Sequence, residues 1–355
     1  MANFNTDEIL FERRGAAGLV TLNRPKALNA VTHGMVKALR AQLDAWAADD
    51  AVTRVVVTAA GERAFSAGGD IRHLYDLGQA GAQGEMLDFW RDEYPLNAFI
   101  KSYRKPYVSL IDGIVMGGGV GVSVHGSHRV AGDRYAFAMP EVGIGFFPDV
   151  GATWFLPRLP GELGTYCALT GERFNAADAV AAGLATHRIP SGRFPALIDG
   201  LTGTVPVDSV LGAFSEPAGE GPITARKAAI DRLFAGDSVE GILAALDAET
   251  VSRSADADWA GKTAATIRAK SPLSLKVALA QVRRGAHWDF AACMRAEFRI
   301  VSRIVEGHDF YEGVRAVIVD KDNAPHWRPA SLAEVSAADI ERHFVLLAQS
   351  ELALP

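Results

Sequence analysis

Met139-Pro140-Glu141-Val142-Gly143-Ile144-Gly145-Phe146-Phe147-Pro148-Asp149-Val150-Gly151 sets two acids into an otherwise apolar segment rich in glycine and proline. A carboxylate among Met, Ile and Phe side chains is costly to ionise, which moves its pKa up toward working pH and suits it to general acid or base chemistry. If the segment folds back over the glycine-rich stretches before it, Glu141 and Asp149 face one small site. Taken alone, Glu141 reads as a turn cap and Asp149 as an Asx-turn residue before Val150-Gly151. Two glycine clusters offer complementary chemistry: Phe65-Ser66-Ala67-Gly68-Gly69-Asp70 and Met116-Gly117-Gly118-Gly119-Val120-Gly121. Glycine lets the backbone approach a ligand and adopt positive φ, and a helix N-terminus leaves N–H groups free. One N–H from each cluster, converging on a carbonyl oxygen, makes an oxyanion hole. Either cluster by itself is a tight strand-to-helix turn; the two together, each after an expected strand, argue for a site. A third acid, Glu93 in Trp90-Arg91-Asp92-Glu93-Tyr94-Pro95-Leu96-Asn97, lies on a helical segment among aromatics and by itself reads as a surface residue.

The elements that must position these groups are legible in the first 190 residues. Leu19-Val20-Thr21-Leu22 and Val55-Val56-Val57-Thr58 are short and rich in β-branched residues, the pattern of buried strands. Val36, Leu39, Leu43 and Trp46 recur every three or four residues and predict a helix between them, with Thr32 as N-cap. Tyr107-Val108-Ser109-Leu110-Ile111 follows the Lys105-Pro106 breaker as a third strand and runs into the second glycine cluster. Strand, helix and strand in this order imply a parallel sheet with crossover helices. Pro190-Ser191-Gly192 closes that part, and Pro206 to Pro222 reads as a loop or hinge. Helical patterns follow: Ile230, Leu233 and Phe234; Leu275, Val277, Ala278 and Val282; Phe298, Ile300, Val301 and Ile304. The expected division is a core over 1–200 that carries the site and a mostly helical region over 201–355 packed on it. No internal repeat stands out.

Composition narrows the function classes. In 355 residues, 49% are hydrophobic and 22% charged, which fits a soluble globular chain. Lys+Arg 36 against Asp+Glu 42 leaves a net charge of −6, which argues against a general nucleic-acid binder and still allows a compact basic patch for a phosphate-bearing small molecule. Cys167 and Cys293 are too few for a disulfide framework or a thiolate metal site, so no metal is expected and a reducing, cytoplasmic setting is the default. Met1 to Glu8 lacks a basic and then apolar signal pattern, and no apolar run suggests a membrane span. Three better-known motifs fail. Gly261-Lys262-Thr263 would end a phosphate loop, but Asp256 stands where its first glycine is required. Gly121-Val122-Ser123-Val124-His125 ends in His where a nucleophile elbow has Gly, and Ser123 would sit inside a helix. Val124 replaces the third glycine of a dinucleotide fingerprint.

Ala64-Phe65-Ser66-Ala67-Gly68-Gly69-Asp70-Ile71, Gly117-Gly118-Gly119 and Met139-Pro140-Glu141 resemble the signature of the crotonase (enoyl-CoA hydratase/isomerase) superfamily. Asn23-Arg24-Pro25-Lys26-Ala27-Leu28-Asn29-Ala30 is similar to its first CoA-contacting loop. Glu93-Tyr94 with Asn97, Phe147-Pro148-Asp149-Val150-Gly151, Ser271-Pro272 and Gly307-His308-Asp309-Phe310-Tyr311-Glu312-Gly313 resemble the branch that hydrolyses 3-hydroxyacyl-CoA thioesters, 3-hydroxyisobutyryl-CoA of valine breakdown among them. The likeness spans most of the chain and is weakest from Pro206 to Lys262.

The resemblance implies an α/β fold, a ββα spiral core with a C-terminal α-helical region, and an acyl-CoA substrate with no separate cofactor, CoA being part of the substrate. It implies an oxyanion hole at Gly69 and Gly118, with Glu93, Glu141 and Asp149 facing the acyl group. On this reading Glu141 activates water or forms a transient anhydride, Asp149 binds the substrate hydroxyl or assists proton transfer, and Glu93 orients the acyl group. Lys26 would meet a CoA phosphate, and the Ala67-Gly68 backbone its adenine end. The family's hydratases carry a second glutamate where this chain has Gly121, which favours hydrolysis over hydration. A hydratase or isomerase using Glu141 and Asp149 as its acid-base pair is the alternative, and a CoA-binding module without turnover is a third reading. A monomer or small homo-oligomer is expected, with neither nucleic-acid nor membrane partners.

Overall fold

The computed structural model describes residues 7–354; Met1 to Thr6, most of the stretch read for a targeting signal, lie outside the described residues. Two sheets organise the first half. The larger runs β1 (Ile9–Arg14), β2 (Ala17–Leu22), β3 (Arg54–Ala59), β5 (Tyr107–Ile111), β7 (His128–Ala131) and β9 (His187–Arg188), in that spatial order. Only β1 is antiparallel to its neighbour; the rest are parallel. β2, β3 and β5 are almost wholly buried, which is why they read as unbroken apolar runs rather than as alternating ones. β1 is an edge, and the exposed Glu12, Arg13 and Arg14 guard it against further pairing.

The smaller sheet is built from three-residue strands, β4 (Ala64–Ser66), β6 (Ile114–Met116) and β8 (Ala136–Ala138), all parallel. Sequence reading missed them, because three residues are too few to show a period. The strand Tyr107–Ile111 therefore does not run straight into the second glycine cluster: the chain turns at Asp112-Gly113 and β6 intervenes. Each of the pairs β3/β4, β5/β6 and β7/β8 gives one strand to each sheet, so the chain winds as a ββα spiral whose repeat lies in topology and not in residues.

Helix α1 (His33–Ala48) buries Val36, Leu39, Leu43 and Trp46, and the Thr32 side chain accepts from the Met35 N–H at 3.2 Å as its N-cap. Helices α2 (Ile71–Gln79) and α3 (Gln83–Lys101) follow the first glycine cluster, and the single-turn α4 (Gly118–Gly121) follows the second. Ser123 lies in the turn after α4 and not within a helix; its hydroxyl donates to the Gly119 carbonyl at 2.8 Å. The expected loop from Pro206 to Pro222 is half helix, because Val207, Val210 and Leu211 pack with Leu197 and Leu201 on the far face of the large sheet. The boundary at 200 falls inside the helix Phe194–Thr202, while the last strand ends at Arg188. Beyond it, Pro272–Gly285 and Phe290–Ile304 are the longest helices, and one apolar cluster runs from Ile9 to Leu352 without interruption. Gly261-Lys262-Thr263 lies within the helix Ala257–Arg268, far from any phosphate-loop geometry.

Candidate active site

Because β4, β6 and β8 are parallel, their C-terminal ends emerge along one edge of the small sheet. β4 delivers Ala67, Gly68 and Gly69; β6 delivers Gly117 and Gly118; β8 delivers Met139, Pro140 and Glu141. Ligand sites in parallel sheets gather at this edge. Here the three segments wall a cavity of about 690 Å³, joined by Glu93 from α3 and by Asp149.

Gly68 takes φ +117° and Gly117 φ +43°, conformations that favour glycine. The two backbones pack so closely that a Cβ on Gly118 would stand 3.1 Å from the Gly69 nitrogen and 2.7 Å from Glu93 Oε1. Among the described residues, neither the Gly69 nor the Gly118 N–H donates to a protein acceptor, and both residues line the cavity. The free N–H of Gly118 follows from its place as first residue of α4.

Glu141 opens the 3-10 turn Glu141–Ile144, and its Oε2 is buried without a protein partner. Burial holds its carboxyl well above the usual carboxylate range, and the Asp149 charge adds to that. Asp149 is pushed up to about 7 by burial, against a 3.0 Å hydrogen bond that Tyr94 Oη–H donates to its Oδ2. Glu93 is only 1% exposed, and burial, then the Asp149 and Glu297 charges, drive its carboxyl far upward. The surface role read for it from sequence is therefore wrong: α3 turns that face into the core. The stripe Trp90, Glu93, Tyr94, Asn97 has helical spacing, and that spacing was the available signal. Trp90 stacks on Phe146 at 5.6 Å between ring centroids, giving the cavity beside Glu93 an aromatic wall.

Of the remaining sequence candidates, Ala67 and Gly68 line the cavity, whereas Lys26 is exposed and does not, although its neighbours Ala27 and Leu28 do. Arg72, Lys270 and Asn323, none of them singled out from sequence, supply polar groups on the wall. Glu297 of the helix Phe290–Ile304 was also missed. It is wholly buried and accepts the Gly151 and Thr153 N–H groups, just beyond Asp149. The position of the hydratases' second glutamate is closed: a Cβ on Gly121 would lie 2.8 Å from Asn97 Nδ2 and 2.9 Å from Val150 Cβ. Among the described residues no cluster of His, Cys, Asp or Glu could hold a metal ion.

Residues 17–344 match the family described as Enoyl-CoA hydratase/isomerase. The chain belongs to that family. Its curated relatives include the 3-hydroxyisobutyryl-CoA hydrolase, mitochondrial, of Danio rerio, 44% identical over 98% of this chain and 92% of that one. The protein of the same name from Homo sapiens is 40% identical over 98% and 90%. Among solved structures, a carnitinyl-CoA dehydratase from Mycobacterium thermoresistibile superposes with TM-score 0.92 at 44% identity, covering 98% of this chain and 99% of that one. An enoyl-CoA hydratase from Rhodobacter sphaeroides gives TM-score 0.90 at 37% identity, covering 98% and 100%. The fold is thus the family's α/β spiral with its helical C-terminal region. Among the described residues no helix is long and apolar enough to cross a membrane.

Proposed function

We propose that this family member hydrolyses a 3-hydroxyacyl-CoA thioester, with 3-hydroxyisobutyryl-CoA of valine breakdown as substrate. The observation that carries the reading is the closed position at Gly121. Adding water across a double bond uses two carboxylates to share water activation and proton delivery, and Asn97 and Val150 leave the second no room. The names of the curated relatives support hydrolysis, and those of the two solved structures describe hydration chemistry.

In this reading the thioester carbonyl oxygen lies between the Gly69 and Gly118 N–H groups. Attack on the carbonyl carbon places negative charge on that oxygen, where preorganised donors in a water-poor pocket contribute roughly 3–4 kcal/mol each to lowering the barrier. Glu141 delivers the attack. As base it takes a proton from water while the hydroxide oxygen bonds to carbon; as nucleophile it forms a transient anhydride that water then opens. In the first route the tetrahedral adduct collapses to the free acid and expels CoA thiolate, which takes up the proton held by Glu141; in the second it collapses to the anhydride and CoA thiolate, and water opening the anhydride gives the free acid and restores Glu141. Both routes need Glu141 ionised. Asp149, fixed by Tyr94, meets the substrate 3-hydroxyl or relays a proton, and Glu93 orients the acyl group against the Gly118 loop. CoA is consumed as part of the substrate, and no further cofactor enters the scheme. The Ala67-Gly68 backbone meets the adenine end. Lys26, exposed beside Ala27, is the proposed phosphate contact, and Lys270 and Arg72 add positive charge on the cavity wall.

A reducing compartment fits two buried, unpaired cysteines, and a monomer or small homo-oligomer is the proposed state. The cytoplasmic placement rests on cysteine usage, whereas the curated relatives are named mitochondrial. The test is thiol release from 3-hydroxyisobutyryl-CoA. The wild type releases CoA thiol, and Glu141→Gln lowers kcat by about 1000-fold or more, as loss of an essential catalytic group does. Unchanged release by Glu141→Gln would overturn the assignment of Glu141.

A further inference from the structure

The turn that carries Asp149 closes on one hydrogen bond of its own, from the Ala152 N–H to the Asp149 carbonyl at 2.9 Å, and takes its other restraints from elsewhere in the chain. Val150, a β-branched residue, takes φ +51° and Gly151 φ +92°, a left-handed pair that costs energy at the valine. Groups from outside the turn restrain it. The Gln281 amide donates to the Pro148 carbonyl, and His125 Nε2–H donates to the Val150 carbonyl at 2.7 Å. Two more hydrogen bonds come from Glu297, whose Oε2 accepts the Gly151 N–H at 2.8 Å and whose Oε1 accepts the Thr153 N–H at 2.9 Å. Its neighbour Phe298 packs edge-on against Tyr94, with ring centroids 6.4 Å apart, and Tyr94 is the residue that donates to Asp149. One helix, Phe290–Ile304, thus touches Asp149 from both sides: through its turn and through its hydrogen-bond donor. A glutamate with no solvent exposure is retained there although an apolar residue would fill the helix face at lower desolvation cost.

We propose that Glu297 is a positioning residue for the hydrolysis, fixing the direction of the Asp149 carboxylate by clamping the Gly151 and Thr153 amides. The proposal rests on the hydrolase reading above and adds to it a residue from the helical half of the chain. Glu297 touches no substrate in this role; its effect passes through Asp149.

The experiment is a double-mutant cycle on the full-length protein, read as thiol release from 3-hydroxyisobutyryl-CoA. Glu297→Gln keeps shape and one acceptor oxygen but turns an NH2 toward one of the two amides. Its expected effect is a loss in kcat on the order of 10- to 100-fold, the cost of a misplaced catalytic group, with KM changed by less than about 2-fold. Glu297→Asp, which keeps the carboxyl group and reaches one amide, should recover part of that loss. In an Asp149→Asn background, Glu297→Gln should cost nothing further. Wild-type kcat in Glu297→Gln, or an equal additional loss in the Asp149→Asn background, would overturn the proposal and leave Glu297 a structural cap. Should Glu297→Gln fail to fold, Glu297→Asp carries the same cycle. A wild type that releases no thiol defeats the hydrolase reading instead, and the cycle then runs on the hydration of crotonyl-CoA, where the same two outcomes decide the role of Glu297.

Discussion

Asp149 shows how a single residue trades stability for chemistry. Its carboxyl stands near 7 in the folded protein against an ordinary value of 3.8, because burial disfavours the anion more than the Tyr94 hydroxyl favours it. A raised carboxyl means that the folded state holds a proton the unfolded chain has already lost. Stability from this group is therefore full below about pH 4 and falls as pH rises from there to about 7. Asp149→Asn mimics the protonated form and should raise the melting temperature at pH 8, by stabilisation on the order of 1–4 kcal/mol, while lowering kcat. At pH 4 the difference should vanish; a melting temperature at pH 8 equal to or below wild type would show that the anion is not strained in the folded state. Burial shifts Glu141 in the same direction, so thiol release should climb with pH over a range above that of an ordinary carboxylate. The acids of the Met139 to Gly151 segment were legible because carboxylates in apolar sequence are rare. Glu297 left a fainter mark: Met294, Phe298 and Val301 place it on the buried face of its helix, but one acid on such a face does not tell a clamp from a surface residue until the amides it holds are known.

At the scale of elements, the decisive feature is the three-stranded sheet that sequence reading missed. The longer strands were legible through their β-branched runs and α1 through its period, yet these scaffold the site without touching it. β4, β6 and β8 are too short to show a pattern, and only their parallel pairing explains why two glycine clusters and Glu141 meet. Spacing between β4 and α4 is set by Gly119, where a Cβ would come within 2.6 Å of both Ser66 Cβ and the Ser66 carbonyl oxygen. Gly119→Ala must push the two loops apart and separate the Gly69 and Gly118 N–H groups. A fall in kcat of about 100-fold or more is expected, the scale of losing one oxyanion donor. Wild-type kcat in Gly119→Ala would mean that the two loops do not act as one unit.

Across the whole molecule, helices after Arg188 cover the large sheet with one face and the active site with another. Lys270 reaches the cavity wall, and Gln281, Glu297 and Phe298 contact the Asp149 turn and its donor, so the helical region packs directly on the candidate site. Resemblance in short motifs made the family legible from sequence. Interlocking of this kind was not, because it joins residues more than a hundred positions apart, such as Gly151 and Glu297. The proposed choice of hydrolysis over hydration belongs to the same scale, since Asn97 on α3 and Val150 together close the space beside Gly121. The most direct test sets both chemistries side by side on one preparation: CoA thiol released from 3-hydroxyisobutyryl-CoA, and enoyl absorbance lost from crotonyl-CoA. The account predicts rapid thiol release, abolished by Glu141→Gln, with crotonyl-CoA left unhydrated. Hydration of crotonyl-CoA without thiol release from the hydroxyacyl thioester would contradict it.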